Sequence, residues 1–88
     1  VIIESALLEK YLGKYELSPD LYITIFKEGE KIFAEVTNQS KVELTPINKN
    51  TFEIFDYGIR IVFNMDENQK ISELTLLQNG ERKVKKVK

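Results

Sequence analysis

Serine is the residue type best suited to nucleophilic chemistry in this sequence, which contains no histidine and no cysteine. Neither a Ser-His-Asp triad nor a Cys-His pair can therefore form. A Ser-Lys pair would need a serine that is activated by a neighbouring base. The serines lie at a predicted helix cap, at turns or at a strand start, with no motif around them: Ser5, Ser18, Ser40 and Ser72. We expect no catalytic residue in this chain.

Carboxylates could serve either in acid–base catalysis or in metal binding. Alternation places Glu43 and Glu53 on the outward face of their predicted strands, which favours a solvated surface over acid–base work. The acidic segment 66–70 is similar to the start of a calcium loop, but Ile71 and Leu77 stand where such a loop needs Gly and Glu. The four glycines are isolated and form no phosphate-binding loop. We therefore predict a polar hairpin loop, no metal site and no cofactor.

The charge pattern gives little support for nucleic acid or membranes as partners. The formal net charge is -1, so no general field attracts a polyanion. No apolar run approaches the roughly 18 residues of a transmembrane helix. The basic C-terminal run is interpreted as a charged edge strand that resists aggregation, or as a solvated terminus: Arg82, Lys83, Lys85, Lys86 and Lys88. We expect neither nucleic-acid binding nor membrane insertion.

Aromatic side chains are the residues most suited to a binding role. Phe26 and Phe33 fall on opposite arms of a predicted hairpin at Gly29, on the face opposite the aliphatic residues of the same strands. Such rings could pack under the helix or in the core, form a contact patch for another domain, or line a ligand site. The candidate partner or ligand contacts are Tyr22, Phe26, Phe33, Phe55 and Tyr57.

The elements that carry these residues follow from a change of period at Gly13. Before it, Leu8, Tyr11 and Leu12 recur at helical spacing, and Gly13 is placed to stop the helix. After it, apolar residues alternate as in half-buried strands. The predicted strands are 14–17, 21–27, 31–37, 41–45, 51–55, 59–64, 71–78 and 81–87. Pro46 is expected to close the fourth strand, and Asn79-Gly80 predicts a type I′ hairpin turn.

Eight short strands joined by hairpins, with no crossover helix, exclude a parallel sheet. Closing such a meander removes its exposed edges. The sequence therefore predicts a mainly all-β fold, an eight-stranded antiparallel up-and-down barrel with one short N-terminal helix. The sequence has 88 residues and begins at Val1 rather than Met. We expect 1–5 to be a linker from an upstream domain and 6–88 to be the barrel domain.

A series of short motifs runs through almost the whole chain. It consists of Leu8-x-x-Tyr11-Leu12-Gly13-x-Tyr15, Ile23-Thr24-Ile25-Phe26, Gly29, Val42-Glu43-Leu44-Thr45-Pro46, Thr51-Phe52, Ile61-Val62-Phe63-Asn64-Met65-Asp66, Ile71-Ser72-Glu73-Leu74-Thr75-Leu76 and Asn79-Gly80. Their order and spacing resemble the small lipocalin-like domain, of a family of unknown function, at the C-terminus of serine β-lactamase-like hydrolases. The same domain is found in penicillin-binding-protein-related peptidases and esterases of bacteria and archaea. Asn68-Gln69 replace the Gly that is usual in this family after Asp66.

The resemblance implies a non-catalytic accessory domain, docked on or tethered to an upstream catalytic domain of the same polypeptide, that shapes substrate access or assembly. It also implies an extracytoplasmic or periplasmic location. The Ser-x-x-Lys and Tyr-x-Asn motifs of the hydrolases do not occur in this sequence, so their activity is not carried over. The family domain also follows other modules, including helical repeats. The alternative is a lipocalin-type carrier that binds a small hydrophobic ligand in a hollow barrel.

Overall fold

In the part of the chain that the structure describes, one short helix precedes eight strands. The structure, a computed structural model, describes residues 5–54, 57–68, 70–78 and 80–87. The elements are α1 (Ser5–Tyr11), β1 (Gly13–Ser18), β2 (Leu21–Glu28), β3 (Lys31–Val36), β4 (Val42–Asn48), β5 (Thr51–Ile54), β6 (Ile59–Met65), β7 (Ile71–Leu77) and β8 (Glu81–Lys86). The predicted linker and the first residue of the Asn79-Gly80 turn lie largely outside the described residues, so both stay predictions.

The strands close into a barrel in sequence order. Each strand pairs antiparallel with the next, and β8 returns to pair with β1. At this seam Tyr15 lies opposite Lys86, and the Val87 backbone N–H donates to the Lys14 carbonyl at 2.8 Å. The predicted fold class, an eight-stranded closed antiparallel barrel with one short N-terminal helix, is confirmed.

Barrel closure corrects the interpretation of the basic C-terminal strand. Because β8 pairs with both β7 and β1, it is not an edge strand, and the predicted role in resisting edge-to-edge aggregation is wrong. Lys83 and Lys85 are exposed on the outer surface, while Val84 between them is buried. The lysines therefore form part of a solvated outer face.

The end of β4 differs from its prediction for a local reason. Pro46 was expected to close the strand, but β4 continues to Asn48, and Pro46 lies opposite Phe52. The register shifts between Pro46 and Asn48. A bulge tolerates a residue without a backbone donor, because the ladder is already interrupted there.

The core lies inside the barrel and is formed by one face of each strand together with α1. The buried hydrophobic residues are Leu8, Tyr11, Tyr15, Ile23, Ile25, Ile32, Ala34, Leu44, Phe52, Ile54, Ile61, Phe63, Ile71, Leu74 and Val84. Most of these residues are the apolar positions that alternate along the predicted strands. The burial therefore fixes the register, because shifting a strand by one residue would expose all of its apolar side chains to solvent. Alternation along β2 predicts that Leu21 shares the inner face with Ile23 and Ile25, but it is 37% exposed because it lies at the first position of the strand.

The connection between α1 and β1 depends on Gly13, whose φ is 143°. Side-chain-bearing L residues rarely adopt this backbone angle, so glycine lets the chain turn from α1 into β1. The turn directs α1 back toward the interior, where Leu8 and Tyr11 are buried. A helix of seven residues is too short to be stable alone, so α1 depends on this packing.

We expect Phe63→Ala to lower the free energy of unfolding by about 3–5 kcal/mol, because it leaves a cavity among buried rings. Val62→Ala is the matched control, since Val62 neighbours Phe63 but points to the outer face and is only half-buried. Urea unfolding followed by circular dichroism measures both. Losses of equal size would contradict the assignment of Phe63 to the interior.

Candidate functional site

The aromatic residues divide between the inside and the outside of the barrel. The inner group consists of Tyr11, Tyr15, Phe52 and Phe63, each at most 1% exposed. The outer group consists of four of the five predicted contact residues: Tyr22, Phe26, Phe33 and Tyr57. The fifth, Phe55, lies outside the described residues. The inner rings serve packing, which leaves the outer rings as candidates for contact.

Tyr11 inserts from α1 into the end of the barrel. Its ring stacks on Phe63, with centroids 4.3 Å apart and planes 10° from parallel, and meets Phe52 edge-on at 5.8 Å. Its hydroxyl donates to the Lys49 carbonyl, and its own carbonyl accepts the Tyr15 hydroxyl at 2.8 Å. The helix therefore covers the interior rings, and Phe26 and Phe33 lie on the opposite side of their strands.

Two lysines fix α1 from the barrel side. Lys27 continues the inner face of β2 and forms an ion pair with Glu9 of the helix at 3.0 Å. The Lys86 ammonium donates to the Lys10 carbonyl at 3.3 Å, near the C-terminal end of α1, where cations interact favourably. Burial lowers the pKa of Lys86. Both contacts hold the helix over the barrel end.

An outer aromatic patch, defined as Tyr22, Phe26 and Phe33, lies on β2 and β3. Phe26 and Phe33 are directly opposite in the register, and their rings stack with centroids 5.7 Å apart and planes 18° from parallel. Lys41 of the segment before β4 reaches over both rings, at 4.8 Å from Phe33 and 5.9 Å from Phe26. The Glu28 carboxylate holds that ammonium at 2.7 Å.

The patch extends toward β1 through Tyr22. The Lys14 ammonium lies 5.3 Å from the Tyr22 ring centroid, a second cation–π contact on the same face. The Tyr22 backbone N–H donates to the Thr37 hydroxyl at 3.0 Å. Tyr57 is 64% exposed, but it lies on the β5–β6 connection, away from β2 and β3 in the strand order. The structure thus groups three of the predicted contact residues and separates Tyr57 from them.

A pocket that the sequence did not predict lies at the α1 end of the barrel. Its volume is about 250 Å³, and it is lined by Leu7, Tyr11, Lys49, Asn50, Phe63 and Met65. Met65 is 46% exposed at its edge. These residues come from three distant segments, and only the docking of α1 beside the β4–β5 turn brings them together. No local pattern in the sequence could have identified it.

The acidic loop after β6 is organised by its own backbone. One Asp66 carboxylate oxygen accepts the N–H groups of Asn68 at 2.9 Å and Lys70 at 3.0 Å, as in an Asx turn. Among the described residues, no three His, Cys, Asp or Glu side chains are grouped so that they could hold a metal ion. Within the same residues, no helix has the length and apolar character required to cross a membrane.

A family model described as "Domain of unknown function (DUF3471)" matches residues 1–87. The chain belongs to the DUF3471 family. No curated protein and no solved structure matches the chain. Since the family description assigns no activity, the function of this DUF3471 domain must be argued from its surfaces.

The buried tyrosines predict a loss of stability at alkaline pH. Burial raises the pKa of Tyr11, and burial together with the neighbouring Tyr11 raises the pKa of Tyr15 above the ordinary 10.0. Above pH 10 the unfolded chain therefore binds fewer protons than the folded chain, so the free energy of unfolding falls as pH rises. Below pH 10 both states hold neutral phenols, and the contribution to stability is fully present.

Denaturant unfolding at several pH values between 8 and 12 measures this slope. Tyr15→Phe should flatten it, because one of the two phenols whose pKa is higher in the folded than in the unfolded chain is gone. The slopes are compared rather than the absolute stabilities, since the variant also loses the hydrogen bond to the Tyr11 carbonyl. An unchanged slope would show that Tyr15 ionises at the same pH in both states.

Proposed function

We propose that this DUF3471 domain is a non-catalytic interaction domain of a larger bacterial serine hydrolase related to β-lactamases and penicillin-binding-protein-like peptidases. In this proposal it contacts the catalytic domain of the same polypeptide and shapes substrate access or assembly. The motif order described above supports the hydrolase context. The structural observation that carries the interaction role is the outer aromatic patch.

An aromatic patch on this side of the sheet is unusual for its position. Antiparallel strands with one solvated face normally carry polar residues on it, yet Phe26 and Phe33 pair there, and no helix in the described part of the chain covers them. Aromatic residues are enriched at protein interfaces, and apolar surface patches mark such contacts. Lys14 and Lys41, which lie over the rings, are exposed, and a partner would have to displace them, together with the Lys41–Glu28 ion pair, to contact the aromatic faces.

Closure of the barrel limits how a partner can bind. An open sheet can accept an added strand at its edge, but β1 and β8 are already paired with each other. A partner must therefore contact outward side chains or the barrel ends. Of these surfaces, the face formed by β2 and β3 carries the stacked aromatic pair.

The surroundings of three of the four serines support a non-catalytic role, while the Ser5 side chain lies outside the described part of the chain. A Ser-Lys mechanism needs a lysine that hydrogen-bonds the nucleophilic hydroxyl. Ser18, Ser40 and Ser72 lie at a strand end, in a loop and on β7, and among the described side chains none of them hydrogen-bonds a lysine. The domain would then act on the reaction only through the domain that it contacts.

The barrel interior favours the interaction role over the carrier alternative. Ligand pockets for drug-sized molecules occupy about 300–1,000 Å³. Here the rings of Tyr11, Tyr15, Phe52 and Phe63 lie in the interior, contact one another and are at most 1% exposed. A hydrophobic ligand of lipocalin type would have to displace these rings and α1.

The proposed hydrolase context predicts which motifs the gene encodes upstream of Val1. We expect it to encode a Ser-x-x-Lys motif followed by a Tyr-x-Asn motif, because these residues supply the nucleophile and its activating groups in the hydrolases that the resemblance implies. DNA sequencing of the locus checks this. A gene that encodes only these 88 residues would rule out the proposal.

In the full-length protein, we expect Phe26→Ser combined with Phe33→Ser to release the barrel from the catalytic domain. Truncating an aromatic anchor in an interface costs about 2 kcal/mol, roughly a thirtyfold shift toward the undocked form. Small-angle scattering should show a larger radius of gyration, and kcat/KM for an ester or β-lactam substrate should change with it. Circular dichroism reports whether the barrel stays folded.

Val62→Ser is the control for this experiment, because Val62 is also half-buried on the outer face but lies on β6. It should leave both measurements unchanged. Scattering curves that are identical for the parent, the double variant and the control would mean that the patch is not the docking surface.

A further inference from the structure

The volume of the pocket at the α1 end sets the size of what it can hold. An engineered apolar cavity of about 150 Å³ accepts benzene, whereas drug-sized ligands need about 300 Å³ or more. The pocket here, at about 250 Å³, lies between these limits. It therefore suits a molecule of about ten non-hydrogen atoms, much smaller than a lipid.

Most of the pocket wall is apolar. Tyr11 and Phe63 form its base and are already buried, while Leu7 is partly buried and Met65 is 46% exposed. A ligand with an apolar body would cover Leu7 and Met65 and remove their surface from water. This burial supplies the affinity, and methionine adapts well to the shape of a bound group.

The polar groups of the pocket are divided between occupied acceptors and available donors. The Lys49 carbonyl accepts the Tyr11 hydroxyl, and the Asn50 carbonyl accepts the Phe63 N–H at 2.9 Å. The Asn50 side-chain oxygen accepts the Thr51 hydroxyl at 3.3 Å. Across the described part of the chain, the Asn50 side-chain NH₂ and the Lys49 ammonium have no hydrogen-bond acceptor. The pocket thus offers donors to a ligand that brings acceptors.

The positive charge of Lys49 indicates which charge the ligand should carry. Lys49 is the one charged residue in the lining of the pocket, and it takes part in no ion pair among the described residues. An anionic group would be attracted to this ammonium, whereas an amine would be repelled. A carboxylate can accept from both the ammonium and the Asn50 amide.

We propose that the pocket between α1 and the β4–β5 turn binds a small organic monocarboxylate with an aromatic or aliphatic body of about ten non-hydrogen atoms. The body lies against Leu7 and Met65, and the carboxylate lies against the Lys49 ammonium and the Asn50 amide. This site is separate from the outer aromatic patch and does not depend on the proposed contact with a hydrolase.

Titration of the ¹⁵N-labelled chain with phenylacetate tests the proposal, because this anion has ten non-hydrogen atoms. For a ligand of this size we expect a dissociation constant of about 1 mM. Changes in amide chemical shift should be confined to residues of α1, the β4–β5 turn and the end of β6. The matched amine, 2-phenylethylamine, should bind at least about tenfold more weakly, and the neutral 2-phenylacetamide should fall between them.

Lys49→Gln should weaken the binding of phenylacetate roughly fivefold and leave the binding of phenylacetamide unchanged, because it removes the charge but keeps a hydrogen-bond donor. Lys83→Gln, which removes an exposed lysine on β8, is the control and should change neither ligand. Both substitutions are at exposed positions, and the ¹⁵N spectrum itself reports folding. Raising the salt concentration to 0.5 M should weaken the binding of phenylacetate more than the binding of phenylacetamide.

Three results would overturn the proposal. The first is equal binding of the acid and the amine, which would describe an apolar site without charge selection. The second is acid binding that survives Lys49→Gln unchanged. The third is the absence of chemical-shift changes at the pocket residues at 20 mM phenylacetate, whether or not residues outside the pocket shift. None of these results bears on the docking surface proposed on β2 and β3, so the two proposals fail independently.

Discussion

The insertion of Tyr11 into the barrel end is the contact on which the rest of this structure depends. A helix as short as α1 has little stability of its own. It is held by the stack of Tyr11 on Phe63 and by two hydrogen bonds, one donated by the Tyr11 hydroxyl and one accepted by the Tyr11 carbonyl. The barrel depends on the helix in turn, because without Tyr11 and Leu8 its aromatic interior would open to water at this end. Helix and sheet therefore form one cooperative unit.

The same contact explains how polar atoms are accommodated inside a small barrel. The Tyr15 hydroxyl would be costly to bury alone, but the Tyr11 carbonyl at the end of α1 needs a donor. One hydrogen bond satisfies both groups. Among the described residues, no buried side-chain nitrogen or oxygen lacks a hydrogen-bond partner. Lys27 and Lys86 likewise reach from the barrel to the helix, where a carboxylate and a carbonyl receive them.

In a closed barrel with aromatic rings packed inside it, a partner can bind only at the outer surface or at the ends. Strand pairing uses the backbone groups of β1 and β8 that an open sheet would present to a partner. Among the described residues, the outer aromatic patch and the pocket beside α1 are two such surfaces. The two differ in chemistry, since the patch consists of half-buried aromatic rings with lysines above them, and the pocket is a small, mostly apolar site lined by Lys49 and Asn50.

The sequence by itself determined the period of each segment, and with it most of the fold. Alternation and turn residues act over a few neighbouring positions, so the strands, the break at Gly13 and the inward faces could be predicted from the chain alone. The lack of histidine and cysteine excluded the corresponding catalytic chemistry in the same way. Only the tertiary structure decided which aromatic rings fill the barrel and which remain outside, that Pro46 lies within a bulged β4, and that β8 is not an edge. It alone placed Leu7, Lys49 and Met65 around one pocket. These features depend on the register of closure and on the docking of α1, which bring together residues far apart in the chain and leave no periodic signal in its sequence.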